Sequence, residues 1–82
     1  MLQQWDVQLH LNGGVSMLDA AEKADHSGNA TDALKLLMVG AYRIRLAVKE
    51  LQKGDPRIEQ YSARVAIANS QAEQLYVRRK CI

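Results

Sequence analysis

Few residues in this chain have side chains suited to covalent or metal chemistry, and their spacing decides how they are read. The two histidines, His10 and His26, stand sixteen positions apart, and neither is expected to share a helix face with a second metal ligand, so solvated or capping roles are expected. Cys81 lies next to the last residue with no base preorganised beside it, which makes it a poor nucleophile. Asp19, Glu22, Glu59 and Glu73 fall at exposed positions of helical patterns, where carboxylates serve surface pairing. Gly13-Gly14 follows no strand pattern and lacks the lysine of a phosphate-binding loop. The residues therefore point away from catalysis: neither an enzyme nor a resident metal or cofactor is expected.

Composition bounds what must position such residues. At 82 residues the chain is expected to be one small domain, near the size where a single core yields only about 3 to 5 kcal/mol of net stability. With one Trp, three Tyr and no Phe, the core must be filled by Ala, Leu, Val and Ile, which suits closely packed helices. Trp5 is expected to pack the N-terminal end of the bundle. The lone cysteine excludes an internal disulfide framework. No apolar run approaches the roughly 18 to 20 residues of a membrane span, and the N-terminus has no signal-peptide pattern. A soluble, cytoplasmic protein without direct membrane insertion is expected. The net charge of +2 is too small, and its cations too mixed with Asp and Glu, to argue for nucleic acid. The one basic cluster, Arg78-Arg79-Lys80, is what the last turn of a helix favours on dipole grounds.

Three helical segments are expected, at about 7–27, 30–53 and 56–80, forming an all-α, antiparallel up-down-up three-helix bundle. Val7, Leu11, Gly14, Leu18 and Ala21 recur at helical spacing and draw one face. Two readings compete over Gly13-Gly14: a continuous helix with Gly14 at a close contact, or a shorter one capped by Ser16; the continuous helix is preferred. Gly28 then ends the first segment and Asn29 caps the second, with Asp32 reaching back. Lys53-Gly54-Asp55-Pro56 separates the second and third segments as terminator, cap and first helical residue. The third carries Ile58, Tyr61, Val65, Ala68, Ala72 and Leu75 on one stripe.

The second segment holds more apolar residues than a core requires. Leu34, Leu37, Gly40, Ala41, Ile44, Ala47, Val48 and Leu51 share a wide face, yet Met38, Val39, Tyr42 and Leu46 fall among the charges on the other side. On the third segment Ala63, Ile67 and Ser70 point away from the core stripe. If the two helices lie side by side, these strips border a shallow groove edged by Lys35, Arg43 and Arg64, suited to an amphipathic helix or an extended peptide. Alternatively a second copy or a neighbouring domain covers the stripe.

The stretch "LDAAEKADHSGNATDALKLL", the long second helix, the Gly-Asp link and "RVAIANSQAEQL" together resemble the MIT (microtubule-interacting and trafficking) domain. The matching positions are Leu11, Val15, Leu18 and Ala21 in helix one, Asp25, Gly28, Asn29, Asp32, Ala33 and Leu34 around the turn, and Ala72, Glu73 and Leu75 near the end. The resemblance implies binding without chemistry: recognition of C-terminal tail motifs of ESCRT-III-type subunits, in endosomal sorting and protein transport, by a monomer that recruits an attached effector to endosomal or other membrane-remodelling sites. In that family a helical motif lies between helices two and three, or an extended one between helices one and three. This chain departs from the pattern at Ala68, Asn69 and Ser70, where many members that take the helical motif carry Tyr-Leu-Asp. The basic edges would then suit a more acidic peptide, or the other groove is used. The rival expectation is a small helical co-chaperone resembling those of type III secretion, or a dimerisation module, covering a partner's apolar surface.

Overall fold

The computed structural model describes the backbone of residues 4–80 and the side chains of residues 6–78. Among the described residues there are three helices and no strand: α1 Gln4–His26, α2 Ala30–Val48 and α3 Pro56–Lys80. The expected packing of the Trp5 side chain, and the Cys81 thiol, lie outside the described residues. So do the side chains of Arg79 and Lys80.

The α1 stripe forms as the periodicity requires, with Val7, Leu11, Gly14, Leu18 and Ala21 all buried. The helix runs unbroken through Gly13-Gly14, so Ser16 lies in mid-helix and caps nothing. Gly14 is tolerated because α1 and α2 meet there almost backbone to backbone. A Cβ on Gly14 would stand 3.0 Å from the carbonyl oxygen of Gly40 and would overlap the Ile44 side chain. A Cβ on Gly40 would in turn stand 3.0 Å from the carbonyl oxygen of Gly14. Removing both side chains lets Leu18 and Ile44 interdigitate across the contact, which offsets the lower helix propensity of glycine.

The α1–α2 link is short because Asn29 serves both helices. Its N–H donates to the Ala24 carbonyl at 2.8 Å while Gly28 N–H donates to Asp25, a pair of bonds that closes α1 with Gly28 at φ +83°. Its side-chain oxygen accepts from Asp32 N–H at 3.2 Å, and its amide donates to the Asp32 carboxylate at 2.7 Å, opening α2. One residue thus terminates one helix with its backbone and starts the next with its side chain.

The second helix is shorter than expected. It ends at Val48 instead of Lys53, and the chain continues in two tight turns in which Glu50 and Leu51 donate to Ala47 and Val48, and Asp55 to Gln52. In the seven residues after Val48 only Leu51 is apolar, so a further helical turn has no face to pack and a short terminal segment is marginal alone. Leu51 folds back onto the core, and Gly54 at φ +94° redirects the chain.

Asp55 caps α3 as expected and ties it to α1 through contacts that periodicity does not reveal. Its carboxylate accepts from Arg57 N–H at 2.9 Å and from the Arg57 guanidinium at 2.7 Å. The same guanidinium donates to Gln8 of α1 at 2.8 Å, and Gln8 donates to Tyr61 at 3.3 Å. These side-chain and backbone bonds from Arg57 hold the Asp55 carboxyl below its ordinary value of 3.8. A carboxyl whose folded pKa is depressed contributes stability above its ordinary pKa and loses it as pH falls through the folded value. Asp55→Asn is therefore expected to be less stable than the native chain at neutral pH, with the difference closing below about pH 4. Urea titrations of both chains across that range test this; a difference that stays constant with pH would refute it.

One apolar core joins the three helices, centred on the fully buried Leu11 and Ile44 and completed by Ala33, Leu37, Ala47, Val65, Ala68 and Leu75. Helix α2 packs along both neighbours, whereas α1 and α3 scarcely approach each other. That asymmetry leaves a cleft between α1 and α3, and the outer side of the packed α2–α3 pair carries a second, shallower groove.

Candidate functional site

The two furrows differ in chemistry. Between α1 and α3, hollows of about 190 and 210 Å³ are floored by Leu18, Ala21, Leu37, Ala68 and Leu75. Apart from Ile67 their walls are polar: Asp19, Glu22, Asp25 and His26 from α1 face Arg64, Gln71, Gln74 and Arg78 from α3. Arg64 reaches Asp19 at 3.5 Å and Arg78 reaches Asp25 at 3.4 Å, so two ion pairs span this cleft. Both pairs are solvent-exposed and contribute little stability, about 0 to 1 kcal/mol each.

Between α2 and α3 the lining is apolar and cationic. One hollow of about 240 Å³ is formed by Arg45, Val48 and Lys49 opposite Ser62, Val65 and Asn69. A broader one of about 410 Å³ continues along Met38, Val39, Ala41, Tyr42, Arg45 and Asn69. The surplus stripe of α2 is open along this side, with Met38, Val39, Tyr42 and Leu46 each at least 45% exposed. Four large apolar side chains within little more than two turns of one helix are unusual on a surface, where single exposed apolar residues are the norm.

The structure divides the ten residues singled out for this groove. Met38, Val39 and Tyr42 line it; Leu46 and Lys35 are exposed on the same helix, where 100° per residue sets them beside Tyr42 and Met38. Arg43 does not edge it. Its guanidinium lies against Gly13 and donates from Nε to His10 Nδ1 at 3.2 Å, on the α1 side of α2. Arg64 and Ile67 line the cleft between α1 and α3 instead. Ser70 borders a separate outer hollow with Glu73, Gln74, Val77 and Arg78, and Ala63 is exposed away from α2. Arg43 stands on the flank of α2 that meets α1, Arg64 and Ile67 lie toward the side of α3 that meets α1, and Ala63 and Ser70 fall on the outer face of α3. A core stripe has two flanks, and spacing alone does not say which flank of α3 meets α2.

Arg45, Lys49, Ser62 and Asn69 are groove residues that the sequence reading did not select. Asn69 and Ser62 lie seven apart beside Val65, so the signal was present in the wheel of α3 once the correct flank is known. The histidines need one correction too. His26 shares a face with Glu22 one turn earlier, the two being 3.9 Å apart, but both are exposed and a pair does not make a ligand set.

Comparison with protein-family models, with curated proteins and with solved structures finds no match to this chain. No helix among the described residues is long and apolar enough to cross a membrane.

Proposed function

We propose that this chain is an up-down-up three-helix bundle acting as a non-catalytic, monomeric recognition module for peptides. It docks C-terminal motifs of ESCRT-III-type subunits between α2 and α3, and from the cytoplasm recruits an attached effector to membrane-remodelling sites. The observation that carries this reading is the open apolar stripe Met38, Val39, Tyr42 and Leu46 running alongside a groove floored by Ala41, Val48 and Val65. Burying apolar surface contributes about 25 cal/mol per Å², so a partner helix covering the stripe has a driving force that the isolated chain leaves unused. The residue pairings support the helix order: Gly14 meets Gly40 and His10 meets Arg43, whereas Gln8 meets Arg57 and Asp25 meets Arg78. The first set runs in opposite senses along the chain and the second in the same sense. The Gly28-Asn29 turn and the Ala72-Glu73 ending, which resemble those of MIT domains, supply the partner class.

A heteronuclear NMR titration with ESCRT-III C-terminal peptides, helical and extended, tests the reading. The expected result is shifts concentrated at Met38, Val39, Tyr42 and Asn69. Shifts along Glu22, Gln71 and Arg78 would move the ligand to the cleft between α1 and α3. No shift at a peptide concentration of about 1 mM would remove the assignment, since that places Kd above the weakest useful range.

A further inference from the structure

Four arginines are held by side chains within the fold. Arg57 is paired with Asp55, Arg64 with Asp19, and Arg78 with Asp25, and Arg43 donates to His10. Arg45 and Lys49, like Lys23, Lys35 and Lys53, have neither an ion pair nor a hydrogen bond from their side chains among the described residues, and of these five they are the two that line the groove between α2 and α3. Arg45 lies in the last turn of α2 and Lys49 is its C-cap, still in helical backbone conformation, so the two stand four residues and about 6 Å apart along the axis, on the wall of the 240 Å³ hollow. No acidic side chain lines that hollow, and Ser62 and Asn69 face the two cations with further hydrogen-bond donors.

Resting on the recognition reading above, we infer that the occupant of the α2–α3 groove is an acidic amphipathic helix of another protein, with two carboxylates one turn apart that engage Arg45 and Lys49. Its apolar side chains cover Met38 and Tyr42 while the carboxylates meet the cations at the far end of the groove, which sets the direction in which the partner lies. Charge complementarity argues for this occupant over a second copy. Self-association through this face would bring one strip bearing Arg45 and Lys49 against another, and like charges across an interface oppose association. The cations at the rim act chiefly through steering and register, so the effect is to be read as a salt-sensitive preference.

A display selection of randomised helical peptides against the full chain, with the binding site of each selected peptide mapped by amide shifts, tests the inference. The expected result is binders seated at Met38, Tyr42 and Asn69 that are enriched in Asp or Glu at positions four apart. Their affinity should fall at least about tenfold when those carboxylates are changed to amides, and the loss should shrink as salt is raised. A parallel selection against the double variant Arg45→Glu/Lys49→Glu should yield binders enriched in Lys or Arg at the same spacing. Both positions are exposed, and circular dichroism verifies that the variant keeps its helices. Binders seated in the groove without acidic enrichment would overturn this inference and leave the recognition reading standing. Binders confined to the α1–α3 cleft, or none in either selection, would overturn both, and a mass that doubles with concentration and is lost in the double variant would assign the face to a second copy.

Discussion

Gly14→Ala is expected to destabilise the fold by about 1 to 3 kcal/mol, although alanine is the better helix former by about 1 kcal/mol. The added methyl would overlap Ile44, which is fully buried and has nowhere to move, and would press on the Gly40 carbonyl oxygen at 3.0 Å. Backbone cannot yield there without separating α1 from α2. Gly14→Leu should cost more, since the extra carbons enter the same space. The neighbouring residue is the control. A Cβ on Gly13 meets the Arg43 guanidinium at 2.6 Å, the far end of a flexible side chain that can swing into solvent. Gly13→Ala should therefore leave stability unchanged or raise it by up to about 1 kcal/mol. Urea denaturation of the two variants side by side checks this. Equal effects at the two positions would mean that the helices are not held together at Gly14 and Gly40.

Leu11→Ala is expected to cost about 2 to 5 kcal/mol, through lost burial and the cavity left between α1 and its neighbours. Leu11 is fully buried in the apolar cluster that joins the three helices, and no polar group there lets water fill the space. A domain of this size holds only about 3 to 5 kcal/mol in reserve, so the variant should be largely unfolded at room temperature. Leu46→Ala removes the same side chain from the exposed stripe of α2 and should change stability by less than about 0.5 kcal/mol. The two leucines thus separate folding from recognition: Leu11→Ala abolishes the cooperative melt, whereas Leu46→Ala keeps the melt and weakens peptide binding. A Leu46→Ala chain that melts as poorly as Leu11→Ala would place Leu46 in the core and remove the case for an open stripe.

Much of the architecture was legible in particular residues. Val7, Leu11, Leu18 and Ala21 mark the buried face of α1 because burial in a helix repeats every three to four residues, and the same rule marks Val65, Ala68 and Leu75 on α3. Gly28, Asn29 and Asp32 were equally readable, since a left-handed closure and a side-chain cap depend on local backbone geometry. The end of α2 was not. Lys49 to Lys53 contain nothing that forbids a helix, and their turn conformation follows from having little to pack against.

The candidate site divides along the same physical line. The sequence by itself determined that α2 carries a second apolar stripe, Met38 to Leu46, because surplus apolar residues on a charged face are visible at 100° per residue. It did not determine which residues stand opposite that stripe. Ser62 and Asn69 lie on one flank of the Val65–Ala68 stripe and Arg64 and Gln71 stand at like spacing on the other, whereas Ala63, Ile67 and Ser70 fall nearer the back of the helix. Choosing between the flanks requires the handedness with which three helices close around a core, and periodicity is silent on handedness. Tertiary structure made that choice, bringing Ser62 and Asn69 to Arg45 and Lys49 and turning Arg64 and Ile67 toward α1. It also decided which cations are already paired, because an ion pair such as Arg78 with Asp25 joins residues far apart in the chain that meet when the helices are side by side.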